Sequence, residues 1–233
     1  MPIEDGPRAV VTGTSSGIGR AIAERLLTDG WQVTGLDIAP ASISTRGFEA
    51  LACDLADPAA IDRLCARLAT PLALVHSAGM MRTAPLGALE DDDAMQMYRL
   101  HAGAAARLAQ AMLPRMAEAG QGRMVLVGSR VSQGMPGRSL YAASKAALVA
   151  MARSWAAELI ARGVTVNVVS PAATRTAMTD DPARARSAPR LPPIGRLIEP
   201  AEVAALVAFL LSPEAGAISG QDIAVCGGAS LQC

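Results

Sequence analysis

Lysine is almost missing from this chain. Of 21 basic residues in 233, twenty are arginine and one is Lys145. Aromatic residues make up only 3%, two each of Trp, Tyr and Phe, while 51% of the chain is hydrophobic, so the core must be packed from Ala, Val, Leu, Ile and Met. The two histidines, His76 and His101, stand too far apart for a metal-ligand spacing, and no metal is expected. The four cysteines, Cys53, Cys65, Cys226 and Cys233, show no CxxC pair and read as small apolar fillers and a tail thiol. Net charge is zero with no block of like sign, which removes the basic stripe that a nucleic acid would need. No apolar run reaches the roughly 18 residues of a membrane span, and the start, MPIEDGPRAVV, lacks a basic segment followed by an apolar one. These absences lead to the expectation of a cytoplasmic protein with a small-molecule ligand and neither nucleic acid nor membrane as partner.

What is present is an alternation of β-rich and helical patterns over the whole length. Apolar runs at 8–13, 32–37, 48–54, 72–77, 122–129, 164–170 and 222–228 predict strands. Helical periodicity falls between them at 18–30, 58–69, 91–119, 139–162 and 200–211, with Asp57-Pro58 as cap and first residue of the second helix. Repeated βαβ units predict an α/β fold, one doubly wound domain over 1–233 with a parallel sheet and helices on both faces. The Pro- and Arg-rich stretch 172–195 has no periodicity and reads as a lid over a binding site.

The first strand runs into TGTSSGIG, which places Gly13, Gly17 and Gly19 in a strand-to-helix turn. Such a turn lets the backbone approach a pyrophosphate and points the free N–H groups of the next helix at it. Asp37 closes the second strand, where a carboxylate accepts hydrogen bonds from the ribose hydroxyls of an adenosine and repels a 2′-phosphate. The cofactor expected is therefore NAD (NADH) rather than NADP. Asp54, at the end of the third strand, has two readings: a contact to the adenine or a turn aspartate.

The single lysine lies in YAASK, four residues after Tyr141, so on a helix the two share one face. A phenol of ordinary pKa about 10 is a poor base at neutral pH, and a neighbouring ammonium lowers it by favouring the phenolate. A guanidinium cannot lose its proton in the same role, which accounts for a lysine in a chain that otherwise uses arginine. Ser129 ends the fifth strand twelve residues upstream and can hold a substrate oxygen.

Taken in order, TGTSSGIG at 12–19, HSAG at 76–79, Ser129, YAASK at 141–145, SPAATRT at 170–176, PPIGRLIEPAEVA and the terminal ISGQDIAVCGGAS resemble the short-chain dehydrogenases/reductases over essentially the whole chain. The resemblance implies a seven-stranded sheet, hydride transfer between a nicotinamide and a secondary alcohol or carbonyl, and a homotetramer, with a dimer as the alternative. It implies Tyr141 as acid/base, Lys145 as the ribose-holding residue that lowers its pKa, and Ser129 as the substrate-orienting hydroxyl. The cofactor would lie against Gly13, Ser15, Ser16, Gly17, Ile18, Gly19, Asp37, Asp54, Leu55, Ser77, Ala78, Gly79, Pro171, Thr174 and Thr176, besides Tyr141 and Lys145.

Three positions depart from the family pattern: His76-Ser77 in place of two asparagines, Ala172 in place of glycine after Pro171, and His101 where an asparagine usually completes a Ser–Tyr–Lys tetrad. Asn167 is the only asparagine in the chain. His101 is accordingly expected to pass a proton between Lys145 and solvent. A weak NAD-binding scaffold or redox sensor and an NADPH-dependent 3-oxoacyl-type reductase are the alternative functions. Met80, Met81, Met135 and the lid line the expected substrate pocket, and Arg175, Arg184, Arg186 and Arg190 have two readings: partners for a carboxylate-bearing substrate or, the more ordinary, solvated lid charge.

Overall fold

The structure is a computed structural model that describes residues 6–176 and 191–231. Most of the expected lid, with Arg184, Arg186 and Arg190, lies outside the described residues, as does Cys233. Seven strands form the frame: β1 (Arg8–Thr12), β2 (Gln32–Asp37), β3 (Phe48–Ala52), β4 (Ala73–His76), β5 (Gly122–Val127), β6 (Val164–Pro171) and β7 (Asp222–Val225). The helices are α1 (Gly17–Thr28), α2 (Pro58–Cys65), α3 (Asp91–Tyr98), α4 (Ala104–Glu118), α5 (Ser139–Leu159) and α6 (Pro200–Leu211). All strand pairings are parallel, in the order β3-β2-β1-β4-β5-β6-β7. The chain winds outward from β1 to β3 and then returns to lay β4 on the other side of β1. That reversal opens a crevice at the carboxyl ends of β1 and β4, where open α/β sheets bind ligands.

Strand periodicity of two sorts the side chains between two cores. Val10, Leu74, Met124 and Leu126 pack with Leu108, Met112, Met116 and Leu148 on one face. Val11, Val75, Val125 and Val127 pack with Ile22, Leu26, Val207 and Leu210 on the other. Central β6 is buried at all eight positions, and its run VTVNVVSP is rich in the β-branched residues that such two-sided burial favours. Methionine does the filling that aromatics do elsewhere: Met97, Met112, Met116 and Met124 are all fully buried. The lone asparagine serves the frame, since Asn167 donates to the carbonyl of Ile218 at 2.8 Å and accepts from the N–H of Gln221 at 3.1 Å.

Helix ends follow local chemistry. Asp57 caps α2 by accepting from Ala59 N–H, with Pro58 in the first turn, and α6 opens on a reciprocal capping box of Glu199 and Glu202. The uninterrupted helix expected over 91–119 is instead broken by a π turn at Arg99–Gly103, between α3 and α4. His101 and Ala102 within this turn, and Ala104 and Ala105 just after it, are all buried. Several strands also stop one to three residues earlier than their apolar runs: β1 at Thr12, β5 at Val127 and β7 at Val225. Gly13, Gly128 and Ser129, released from β1 and β5, line the crevice.

Candidate active site

The first wall of the crevice is the turn between β1 and α1. Gly13 adopts φ +75°, and a Cβ added to it would lie 3.0 Å from the backbone of Ala78, so the turn needs both the left-handed conformation and the missing side chain. Ser16 is the N-cap of α1, yet its side chain makes no cap bond and the first turn holds no acidic residue. The orphan N–H groups of α1 are thus left for an anion. Asp37 braces this turn from the end of β2, its carboxylate accepting from Ser15 N–H at 2.9 Å and Ala39 N–H at 3.0 Å. Ser15 itself faces the β2 end, its hydroxyl donating to the carbonyl of Ala39. The Asp54 carboxylate accepts from Ala56 N–H at 2.8 Å, a turn contact, while the residue also lines the crevice with Leu55.

Behind the turn, Thr12 settles the state of His76. Its hydroxyl oxygen accepts from the N–H groups of Ser77 and Ala78 at 3.0 and 2.9 Å, so its one proton goes to Nδ1 of His76 at 3.0 Å. The ring proton then sits on Nε2 and is donated to the carbonyl of Leu100 at 3.2 Å. Burial, followed by the charge of Lys145, pushes the His76 pKa down to about 3. Thr12 thus pins the loop after β4 to β1, and the neutral histidine ties the end of β4 to Leu100.

The second wall brings Ser129, Tyr141 and Lys145 together. Ser129 leaves the end of β5 and accepts from Val131 N–H at 3.2 Å, opening a short 3-10 turn. Tyr141 and Lys145 lie one turn apart on α5, and all three residues are less than one-tenth exposed. The Lys145 ammonium donates to the carbonyl of Val127 at 2.8 Å, and burial pushes its pKa down to about 7. A pKa that low is within reach of deprotonation at neutral pH.

His101 lies against this wall from the π turn. Its Nε2 accepts from Met80 N–H at 3.1 Å, which leaves the ring proton on Nδ1 for the Ser144 hydroxyl at 2.9 Å. Ser144 in turn donates to the carbonyl of Tyr141 at 2.8 Å. The ring meets the edge of the Tyr141 ring with centroids 5.7 Å apart, and burial together with Lys145 drives its pKa far below the usual histidine range. The ring expected to pass a proton has both nitrogens engaged, with Met80 N–H and with the Ser144 hydroxyl. Its geometry is that of a tie between the loop after β4 and α5.

Both walls face one cleft of about 1150 Å³. Of the sequence-expected residues, Gly13, Ser16, Gly17, Ile18, Gly19, Asp37, Asp54, Leu55, Ser77, Ala78, Gly79, Ser129, Tyr141, Lys145, Pro171, Thr174 and Thr176 line it, while Ser15 and His101 stand behind the surface. Thr176 arches over the turn, its Cγ2 3.2 Å from where a Cβ of Gly17 would be. Arg175 does not line the cleft; it pairs with Glu199 at 2.9 Å. Arg99, Arg130 and Arg138 do line it, and sequence patterning passed over them because an arginine on a helix or turn carries no periodic signal. Thr12 and Ser144 were missed for a related reason: their work is hydrogen bonding across the fold. Among the described residues, no group of three His, Cys, Asp or Glu side chains is placed to hold a metal, and no helix is long and apolar enough to cross a membrane.

Comparison with known proteins agrees with this arrangement. A family model described as enoyl-(acyl carrier protein) reductase matches residues 13–230. The chain is 36% identical to the 3-oxoacyl-[acyl-carrier-protein] reductase FabG of Salmonella typhimurium over 96% of this chain and 97% of that protein. It is 33% identical to the D-threitol dehydrogenase of Mycolicibacterium smegmatis over 98% and 94% of the two chains. A solved structure titled short chain dehydrogenase/reductase family protein superposes with a TM-score of 0.90 at 32% identity, covering 100% of both chains. With the seven-stranded parallel sheet, the glycine turn and the Ser129, Tyr141 and Lys145 wall on one cleft, the chain belongs to the short-chain dehydrogenase/reductase family.

Proposed function

We propose that this protein is an NAD-dependent dehydrogenase/reductase that interconverts a secondary alcohol and its carbonyl. The observation that carries the reading is the convergence of Ser129, Tyr141 and a buried Lys145 of pKa about 7 on the cleft whose other end is the glycine turn. The residues fit a dinucleotide: the side-chain-free turn and the uncapped start of α1 suit its pyrophosphate, Thr174 and Thr176 its central part, and Lys145 its nicotinamide ribose. When bound, the nicotinamide supplies or accepts the hydride. Ser129 holds the substrate oxygen, and Tyr141 gives that oxygen a proton in reduction or takes it in oxidation. The Lys145 ammonium favours the Tyr141 phenolate, and its own low pKa lets it lose a proton in turn. Met80, Met81, Val131 and Met135 keep the reacting carbon among apolar atoms.

Asp37 supports NAD over NADP, because its carboxylate lines the cleft at the end of β2 and has lone pairs left after its two backbone bonds. The second reading is an NADPH-dependent 3-oxoacyl-type reductase, favoured by the names of several relatives. The exposed small residues Ala143, Ala150 and Ala157 on α5 leave room for helix packing between subunits, so a homotetramer or dimer belongs to the same proposal. The test is a panel of secondary alcohols, sugars and hydroxy acids assayed with NAD⁺ and with NADP⁺ by reduced-nicotinamide absorbance, repeated with Tyr141→Phe. Oxidation that the phenylalanine variant loses by at least about a hundredfold supports the reading. No oxidation by the parent, or turnover that survives in the variant, overturns it.

A further inference from the structure

The charges on the cleft are sorted by position. Its only lining carboxylates among the described residues are Asp37 and Asp54, at the ends of β2 and β3, and each already accepts from backbone N–H groups. Around Ser129 and Tyr141 there is no lining carboxylate. There the polar lining is cationic: Arg130 follows Ser129 directly, Arg138 is the N-cap residue of α5 three positions before Tyr141, and Arg99 leads the π turn beside Met81 and Met80 in the same lining. The Arg130 and Arg99 side chains have no hydrogen bond or ion pair among the described residues, whereas Arg20, Arg25, Arg107, Arg175 and Arg196 on the outer surface each hold a carboxylate within 3 Å. Arg130 is also only half-exposed. Lys145 stands beside them, its amine tied to a carbonyl and not to an acid.

A cleft lined by one sign of charge concentrates the opposite sign, and a guanidinium fork matches a carboxylate in two parallel hydrogen bonds. We propose that the substrate is a hydroxy acid, or in the other direction an oxo acid, whose carboxylate is held by Arg130 and Arg138 while its secondary alcohol lies between Ser129 and Tyr141. This deepens the dehydrogenase reading and rests on it. The arginines stand beside the two residues that address the reacting oxygen, so the acid group and the alcohol belong to one small molecule. The apolar stretch of Met80, Met81, Val131 and Met135 takes the carbon chain between or beyond them. A thioester substrate brings no carboxylate to this end of the cleft, so the proposal also separates this chain's specificity from a 3-oxoacyl-type reductase.

The experiment compares 2- and 3-hydroxy acids with their own methyl esters, using the full-length protein and NAD⁺, in the parent and in Arg130→Gln, Arg138→Gln and the two lysine variants. The ester keeps the alcohol and loses the charge. The parent is expected to favour at least one acid over its ester by tenfold or more in kcat/KM. That ratio should fall toward one in the glutamine variants, chiefly through KM, and recover in part with lysine. Phosphate monoesters carrying a secondary alcohol form a separate arm; turnover confined to them would overturn the carboxylate assignment. Equal turnover of acids and esters by the parent would overturn the proposal while leaving the dehydrogenase reading intact. Absence of turnover on the whole panel, neutral alcohols included, would remove both. Should a glutamine variant fail to fold, the acid-to-ester ratio of the parent still decides.

Discussion

The backbone N–H of Met80 donates to Nε2 of His101 at 3.1 Å, and this one bond decides which proton the imidazole carries. The opposite nitrogen must then donate to Ser144, whose own proton goes to the carbonyl of Tyr141. An oriented path therefore runs from the loop that faces the cofactor to the helix that carries the phenol.

Asparagine has a donor and an acceptor on one short side chain, so His101→Asn should retain turnover. His101→Leu fills similar space but strands Met80 N–H and removes a partner from Ser144, at about 1–3 kcal/mol for each buried group left unpaired. We expect kcat to fall by about tenfold to a thousandfold in the leucine variant, with NADH affinity nearly constant. Because the ring stays neutral, the apparent pKa values of the pH–rate profile should be the same in parent and asparagine variant. A step near pH 6–7 that disappears with His101 would show that the ring titrates after all.

The buried ammonium of Lys145 makes a statement about stability. Its folded pKa of about 7 lies below the ordinary lysine value near 10.4, so between those two pH values the unfolded chain binds more protons than the folded one. Stability of the cofactor-free protein should rise as pH increases through that window, and below pH 7 the folded state bears the full cost of the buried charge. Lys145→Met should remove this slope and stabilise the fold at pH 7 by about 2–4 kcal/mol while abolishing turnover. Urea unfolding at pH 7 and pH 9.5 measures both effects; a flat profile in the parent would contradict the assigned protonation.

Asp37 answers for the cofactor. Titration should show NADH bound at least about tenfold more tightly than NADPH, or about 1.4 kcal/mol. Asp37→Ser should shrink that ratio, and because the carboxylate also receives Ser15 N–H, it should weaken NADH itself. Equal affinities in the parent would take Asp37 away from the ribose and favour the acyl-reductase reading.

Gly79 offers a test by crowding. A Cβ there would lie 3.0 Å from His101 Nε2 and 3.5 Å from Lys145 Nζ, with no unusual backbone angle to complicate the change. Gly79→Ala should lower kcat by about tenfold or more by displacing the His101 ring from Met80 N–H and cost about 1–3 kcal/mol of stability, both read from steady-state kinetics and thermal unfolding of one preparation.

Ser129, Tyr141, Lys145 and the glycine turn were legible in the sequence because each depends on local spacing: a strand end, an i,i+4 pair, a turn of fixed length. The doubly wound parallel sheet was legible for a similar reason, since alternating strand and helix periodicities imply βαβ crossovers. His101 was singled out by its place in the pattern, but its task depends on Met80 and Ser144, 21 and 43 residues away, and no local pattern encodes such partners. The π turn escaped notice because five consecutive residues, RLHAG, carry too little signal to shift a helical period. Arg175 takes the more ordinary of its two readings: near the cleft in sequence, it is an exposed charge paired with Glu199.

The scarcity of lysine has a practical consequence. The one side-chain amine of the chain stands in the wall of the cleft, where burial has brought its pKa to about 7 and so leaves much of it as the free base at neutral pH. An amine-acylating reagent small enough to enter should therefore modify a single side chain, and bound dinucleotide should shield it. Apart from the terminal amine, the fold has in effect one side-chain label, whose protection reports occupancy of the cleft without any knowledge of the substrate.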